Sequence, residues 1–167
     1  LTAAIIVLLS AITAAPAADR LQGALIERTL AIVGGQALTL SDVQTARALK
    51  LVDPADDVNA ATERLVDRAL VLREVDRYAP PEPDEAAIQE QLNRVRSRIS
   101  MEEFDRVLAA GGFTEARLRA WLRDDLRIAA YLNQRFASAG PQNRADLIAD
   151  WIADLRRRTT IVELWKK

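Results

Sequence analysis

Apolar residues follow two rhythms along this chain, one short and one long. Arg28-Thr29-Leu30-Ala31-Ile32-Val33 is a β-prone run, and Gln36-Ala37-Leu38-Thr39 returns after Gly34-Gly35. Two glycines between apolar strands supply the positive φ of a two-residue turn, so the pattern predicts a β-hairpin. From Thr39 onward the spacing becomes helical. Thr39 can cap a helix, with Asp42 in the capping-box position, and this helix carries Val43, Ala46 and Leu49 before stopping near Asp53-Pro54. Asn59 or Thr62 can open a second helix through Leu65, Val66, Ala69, Leu70, Leu72 and Val75, and Ala79-Pro80-Pro81-Glu82-Pro83 ends it. Asp84 caps a third, whose Ile88, Leu92, Val95 and Ile99 fall on one face. Ser100, with Glu103 in the reciprocal position, opens a short helix carrying Phe104, Val107 and Leu108, and Gly111-Gly112 stops it. Thr114 opens the longest helix, to about Phe136, through Leu118, Trp121, Leu122, Leu126, Ala129 and Leu132. Ala137 to Pro141 is a break. Asn143 then leads a helix with Leu147, Ile148, Trp151, Ile152 and Leu155 that closes in Arg156-Arg157-Arg158. Thr159 to Trp165 reads as a terminal strand. A lone strand needs an edge, and the other strands lie near the N-terminus, so the two ends of the domain are expected to meet.

The first residues have a different character. Leu1 to Ala18 carries no charge, and its apolar core, Ala4 to Leu9, shades into Thr13-Ala14-Ala15-Pro16-Ala17-Ala18. Ala15 and Ala17 satisfy the small-x-small rule, so residues 1–17 are expected to be an export signal cleaved after Ala17. The apolar run falls short of the roughly 18 residues that a spanning helix needs. The expected organisation is therefore a signal (1–17), a linker (18–27) and one domain (28–167). That domain has an N-terminal part over 28–136 and a closing helix and strand over 143–167. The mature protein is expected outside the cytoplasm, without stable membrane insertion.

Composition narrows the chemistry. Of 167 residues, 50% are hydrophobic and 28% charged, the balance of a folded domain. A formal net charge of -1 lacks the basic surplus of a general nucleic-acid binder, so no nucleic-acid partner is expected. The absence of His and Cys removes the imidazole general base, the thiolate nucleophile, the disulfide and the commonest metal ligands. Any catalysis would rest on carboxylates, Lys, Ser or Tyr. Asp56-Asp57, Glu102-Glu103 and Asp124-Asp125 are adjacent pairs, which do not face one another on a helix, so they read as solvated charge. Arg156-Arg157-Arg158 suits a helix C-terminus through the dipole. Gly34-Gly35 is followed by no Lys-Ser/Thr and is not a phosphate loop.

The order of elements, with these residues, resembles the SurA-type periplasmic chaperones and their parvulin relatives. Leu30 to Val43 is similar to the family's opening hairpin and Ser-Asp-Val helix start, and Leu65 to Leu72 to its following helix. Asp84 to Arg135, with Phe104, Gly111-Gly112-Phe113 and Leu118-Arg119, resembles the rest of the N-terminal chaperone domain. Trp151 to Arg156 followed by Ile161 resembles the family's C-terminal helix and strand. The resemblance implies a mainly α, multi-helix SurA/trigger-factor-like fold, with the small N-terminal hairpin paired to the C-terminal strand. It also implies a chaperone-like role toward unfolded outer-membrane or secreted polypeptides. One departure matters: the family's isomerase domains lie between the long helix and the C-terminal helix, where this chain has only a few residues. No catalytic residue and no cofactor is carried over.

Two function classes follow. The first is a non-enzymatic periplasmic holdase that shelters unfolded chains in an apolar cleft. The second is an interaction module for one folded partner, such as a separate peptidyl-prolyl isomerase. Met101, Phe104, Leu108, Phe113 and Trp121 are the candidate peptide-binding residues, and simple packing is the competing reading for each. The same choice between core and groove applies to Trp151 and Trp165.

Overall fold

The structure, a computed structural model, describes residues 27–166. The expected export signal and all but the last residue of the expected linker lie outside them. The elements are β1 (Thr29–Val33), β2 (Gln36–Thr39), α1 (Leu40–Ala48), α2 (Val58–Tyr78), α3 (Glu85–Arg96), α4 (Met101–Ala110), α5 (Glu115–Arg135), α6 (Pro141–Arg158) and β3 (Ile161–Glu163). The fold is mainly α, with one small antiparallel sheet of strand order β2-β1-β3. None of the described helices is long and apolar enough to cross a membrane.

The hairpin forms where the glycines placed it, with Gly34 and Gly35 at φ 54° and 92° and Val33 opposite Gln36. The C-terminal strand joins the hairpin as the chain pattern predicts, and its partner is β1: Ala31, Ile32 and Val33 face Glu163, Val162 and Ile161. Two further main-chain bonds seal its ends, Gly34 N–H to Thr160 O at 3.0 Å and Leu164 N–H to Leu30 O at 2.8 Å. Beyond the strand, Trp165 inserts into the main core at 7% exposure. That core packs Leu30, Ala31 and Val33 against Val43, Leu65, Val66, Leu70, Val75, Tyr131, Trp151 and Leu155. The helix α2 runs through its middle, touching the sheet, α1, α5 and α6.

A second apolar cluster joins Leu49, Leu92, Val95, Phe104, Leu108, Phe113, Leu118 and Leu122, so α3, α4 and α5 share a core of their own. Trp121 packs against both clusters. Its sister tryptophans Trp151 and Trp165 are buried in the first.

Helix starts follow capping chemistry. Thr39 Oγ1 accepts from Asp42 N–H at 3.3 Å while Asp42 Oδ2 accepts from Thr39 N–H at 3.0 Å, completing the capping box. Asp84, Ser100 and Thr114 cap α3, α4 and α5 through their side-chain oxygens.

Several boundaries differ from the sequence reading: the third helix ends at Arg96, before Ile99, and the terminal strand is Ile161–Glu163 instead of Thr159 to Trp165. The first helix ends at Ala48, not near Asp53-Pro54. Lys50 takes a positive φ of 54° and turns the chain, held by a bond from its Nζ to Arg98 O at 3.1 Å and one from Arg98 Nη1 to Lys50 O at 2.7 Å. The second helix starts earlier than Asn59, because Asp57 Oδ1 accepts from Ala60 N–H at 2.7 Å. The sixth starts at Pro141 rather than Asn143: the break residue itself takes the first helical position, where its missing N–H costs nothing. The fifth helix, expected to be the longest, equals α2 in length at 21 residues.

Candidate functional site

The five candidate peptide-binding residues divide sharply. Phe104, Leu108 and Phe113 are buried in the second core, Phe104 to 2% exposure. They hold α4 and the following turn onto α3 and α5, as an amphipathic helix does when its apolar stripe finds a partner. Met101 stands out at 81% exposure, at the start of α4. It lines an open cavity of about 390 Å³ with Arg96, Phe104 and Asp105, and the Arg96 guanidinium lies 5.2 Å from the Phe104 ring centre. Trp121 is half-buried on α5 and faces α2, with its ring centre 6.2 Å from that of Phe113. The structure therefore packs Trp121 against the cluster of Phe104, Leu108 and Phe113, and Trp121 in addition borders a separate site.

That separate site is built from three elements. A groove of about 220 Å³ runs between β2 and α5 and is floored by α2. Gln36, Ala37 and Leu38 form one wall, Arg117, Ala120, Trp121 and Asp124 the other, and Leu65, Arg68, Ala69 and Leu72 the floor. The α5 wall is a single face, since these residues recur at helical spacing. The floor arises from the same periodicity in α2. Strand alternation then decides what β2 offers. Val33–Gln36 flanks a two-residue turn, and Ala31–Leu38 follows at the bonded spacing, so the N–H and C=O of Ala37 point away from β1. Among the described residues no main-chain group pairs with that outer edge.

Arg68 fixes the tryptophan. Its guanidinium lies 4.0 Å from the Trp121 ring centre, donates to Trp121 O at 3.0 Å and donates to Asp125 Oδ1 at 2.7 Å. This combines cation–π contact with two directed bonds and leaves the indole little freedom. Packing around Asp125 pushes its carboxyl above the usual range, with Arg68 pulling the other way. Asp125 is thus no simple solvated charge, contrary to the expectation for the Asp124-Asp125 pair. On the far side of this stack a second hollow of about 540 Å³ is lined by Leu51, Val52, Arg64, Leu65, Asp67 and Ile152, and again by Trp121. At the groove's end, Arg117 donates to Asp42 Oδ1 at 2.7 Å and stacks 4.1 Å from the Phe113 ring centre. The α1 cap and the α5 wall are thereby tied together.

The arrangement presents apolar surface, an unpaired strand edge and a bordering tryptophan, flanked by ion pairs. It can accept an extended main chain whose alternate side chains turn toward the floor. Among the described residues no group of three or more acidic side chains is disposed to hold a metal. Sequence reasoning named Trp121 but missed Ala37, Leu38, Ala69 and Leu72, which read as ordinary core and strand positions. The available signal was the α5 stripe at 117, 120, 121 and 124, which mixes a small residue and an aromatic with charges instead of leucines.

The Arg156-Arg157-Arg158 run also does more than meet the helix dipole. Arg156 reaches back to α2, donating to Asp67 Oδ1 at 2.6 Å and lying 2.8 Å from Glu63 Oε2. Lys166 Nζ joins the same cluster at 3.0 Å from Glu63 Oε1 and 2.8 Å from Glu163 Oε2. Burial raises the Glu63 carboxyl pKa, but bonds from Lys166 and Arg156 outweigh it and the net shift is downward.

No protein-family model matches this chain, and no curated protein matches it at a significant level.

Proposed function

We propose that this protein is a non-enzymatic holdase of the periplasm that binds unfolded exported or outer-membrane polypeptides. The observation that carries the reading is the groove between β2 and α5, with its apolar floor and outward-facing Ala37 main chain. The client segment lies extended against β2, pairs through its backbone and places alternate apolar side chains over Leu65, Ala69, Leu72 and Trp121. Backbone pairing is indifferent to sequence, and the floor asks only for apolar surface, so the same groove serves many clients. The edge is short, four residues in β2, which keeps each complex weak. Weak complexes release without an energy source, and the chain carries no Gly-rich Lys-Ser/Thr loop to couple binding to a nucleotide. The resemblance to SurA-type chaperones supports the same role and the same compartment, and the missing insertion between α5 and α6 supports the absence of isomerase activity.

The test is fluorescence anisotropy with several unrelated, unfolded, apolar peptides. Mutual competition among them, with loss of binding in Ala37→Pro, is the expected result. Proline removes the outward N–H yet is tolerated on a strand edge. Failure of every unfolded peptide to bind, together with saturable binding of one folded protein such as a separate isomerase, would replace the holdase reading with the interaction-module reading.

A further inference from the structure

Away from the groove, the side chains of three arginines line a cavity of about 390 Å³ between α2 and the end of α6. Its lining is Leu70, Arg73, Glu74, Asp76, Arg77, Arg158 and Thr159. The charges do not cancel. Glu74, the buried carboxylate, has one oxygen 3.0 Å from Arg77 Nη1 and the other 3.5 Å from Arg158 Nη2. Asp76 is claimed from the other side by Arg127 Nη1 at 2.9 Å. Arg158 Nε also lies 3.6 Å from Asp154. Arg73 has no carboxylate partner among the described residues: its Nη1 donates to Gly34 O at 3.0 Å, and the rest of its fork is uncommitted.

We infer that this cavity is a binding site for a phosphate group, held by Arg73, Arg77 and Arg158 with the Thr159 hydroxyl as a further donor. The choice of ligand follows from counting acceptors. A carboxylate has two oxygens, and Glu74 shows that two arginines satisfy one. A third guanidinium, that of Arg73 one turn before Arg77 on α2, needs a ligand with more oxygens and more charge, which a tetrahedral phosphate dianion supplies. The cavity also exceeds the ion itself, leaving room for the group that carries it. The position gives binding a structural consequence. Arg73 grips the hairpin turn through Gly34 O, Gly34 N–H holds Thr160 O, and Arg158-Thr159 leads into β3. An anion bridging Arg73 and Arg158 would therefore pin the closing strand to the hairpin.

The experiment titrates inorganic phosphate into the intact protein at constant ionic strength, with sodium chloride as the reference salt. Backbone amide resonances and the unfolding midpoint are followed together. The expected result is saturable movement of the Gly34 and Thr159 resonances and a rise in midpoint beyond the chloride reference. Both responses should weaken at least about tenfold in apparent affinity in R73Q/R77Q. R73K/R77K retains the charge without the fork and should also bind more weakly, so a poorly folding glutamine variant does not remove the test. A parallel arm with phosphatidylglycerol vesicles distinguishes the source. Co-sedimentation that disappears in the variants assigns the phosphate to a lipid headgroup, and phosphate binding without co-sedimentation assigns it to a soluble compound. No response beyond chloride, or an equal response in both arginine variants, would overturn the assignment.

Discussion

Replacing Trp165 by alanine tests whether the last residues close the fold or merely follow it. Trp165 is 7% exposed and packs in the same core as Leu155, Trp151 and the β1 residues. Emptying the site of a buried tryptophan loses its transfer free energy and leaves a cavity, together about 3–5 kcal/mol. Domains of this kind have about 5–15 kcal/mol in total, so the loss is a large share. In a chain of this length it corresponds to a fall in unfolding midpoint of roughly 10–20 °C. The strand supplies its own control. Val162 is paired to Ile32 but stands 42% exposed, so Val162→Ala should cost under about 1 kcal/mol. Circular dichroism at 222 nm against temperature, with urea unfolding as a second measure, reads both variants. A midpoint in Trp165→Ala within about 2 °C of the parent would refute the claim that the C-terminal segment is part of the core.

Further outcomes follow from other contacts. Phe104→Ala should cost about 3–5 kcal/mol, whereas Met101→Ala should be close to neutral, because one fills the second core and the other faces solvent; urea unfolding separates them. A Cβ at Gly111 would overlap Thr45 Oγ1, so Gly111→Ala should destabilise by about 1–3 kcal/mol, and adding Thr45→Ala should recover part of it in the same assay. Glu63 has a folded-state pKa below its ordinary 4.5, so its ion cluster contributes fully above 4.5 and is lost as pH falls through the lowered value. The stability difference between parent and Glu63→Gln should accordingly shrink on acidification below 4.5, which unfolding curves across that range will show.

Much of the fold can be read from the chain because its signals are local. Gly34-Gly35, the Thr39–Asp42 box and the caps at Asp84, Ser100 and Thr114 each satisfy nearby main-chain groups, so sequence spacing alone reveals them. That the C-terminal strand joins the hairpin follows from elimination, since a short strand must find an edge; that the edge is β1 and not β2 comes from the structure. What spacing could not reveal is which buried face meets which partner. Phe104, Leu108 and Phe113 announce an apolar stripe but not its cover, which comes from Leu92, Leu118 and Leu122 on other helices. Charged residues inside long-range contacts were harder still. Arg68, Asp125 and Arg156 occupy helix positions that periodicity assigns to water, yet each is set by a partner more than fifty residues away. The groove was hidden for the same reason: its walls come from β2 and α5, and no local pattern links Ala37 to Trp121.

The central claim is tested most directly by light scattering from an unfolded outer-membrane β-barrel protein diluted out of denaturant, with and without this protein and without nucleotide. The account predicts slower aggregation at equimolar to severalfold excess, a weaker effect with Ala37→Pro of unchanged unfolding midpoint, and no acceleration of a proline-limited refolding reaction. Aggregation that proceeds unchanged at severalfold molar excess would contradict it.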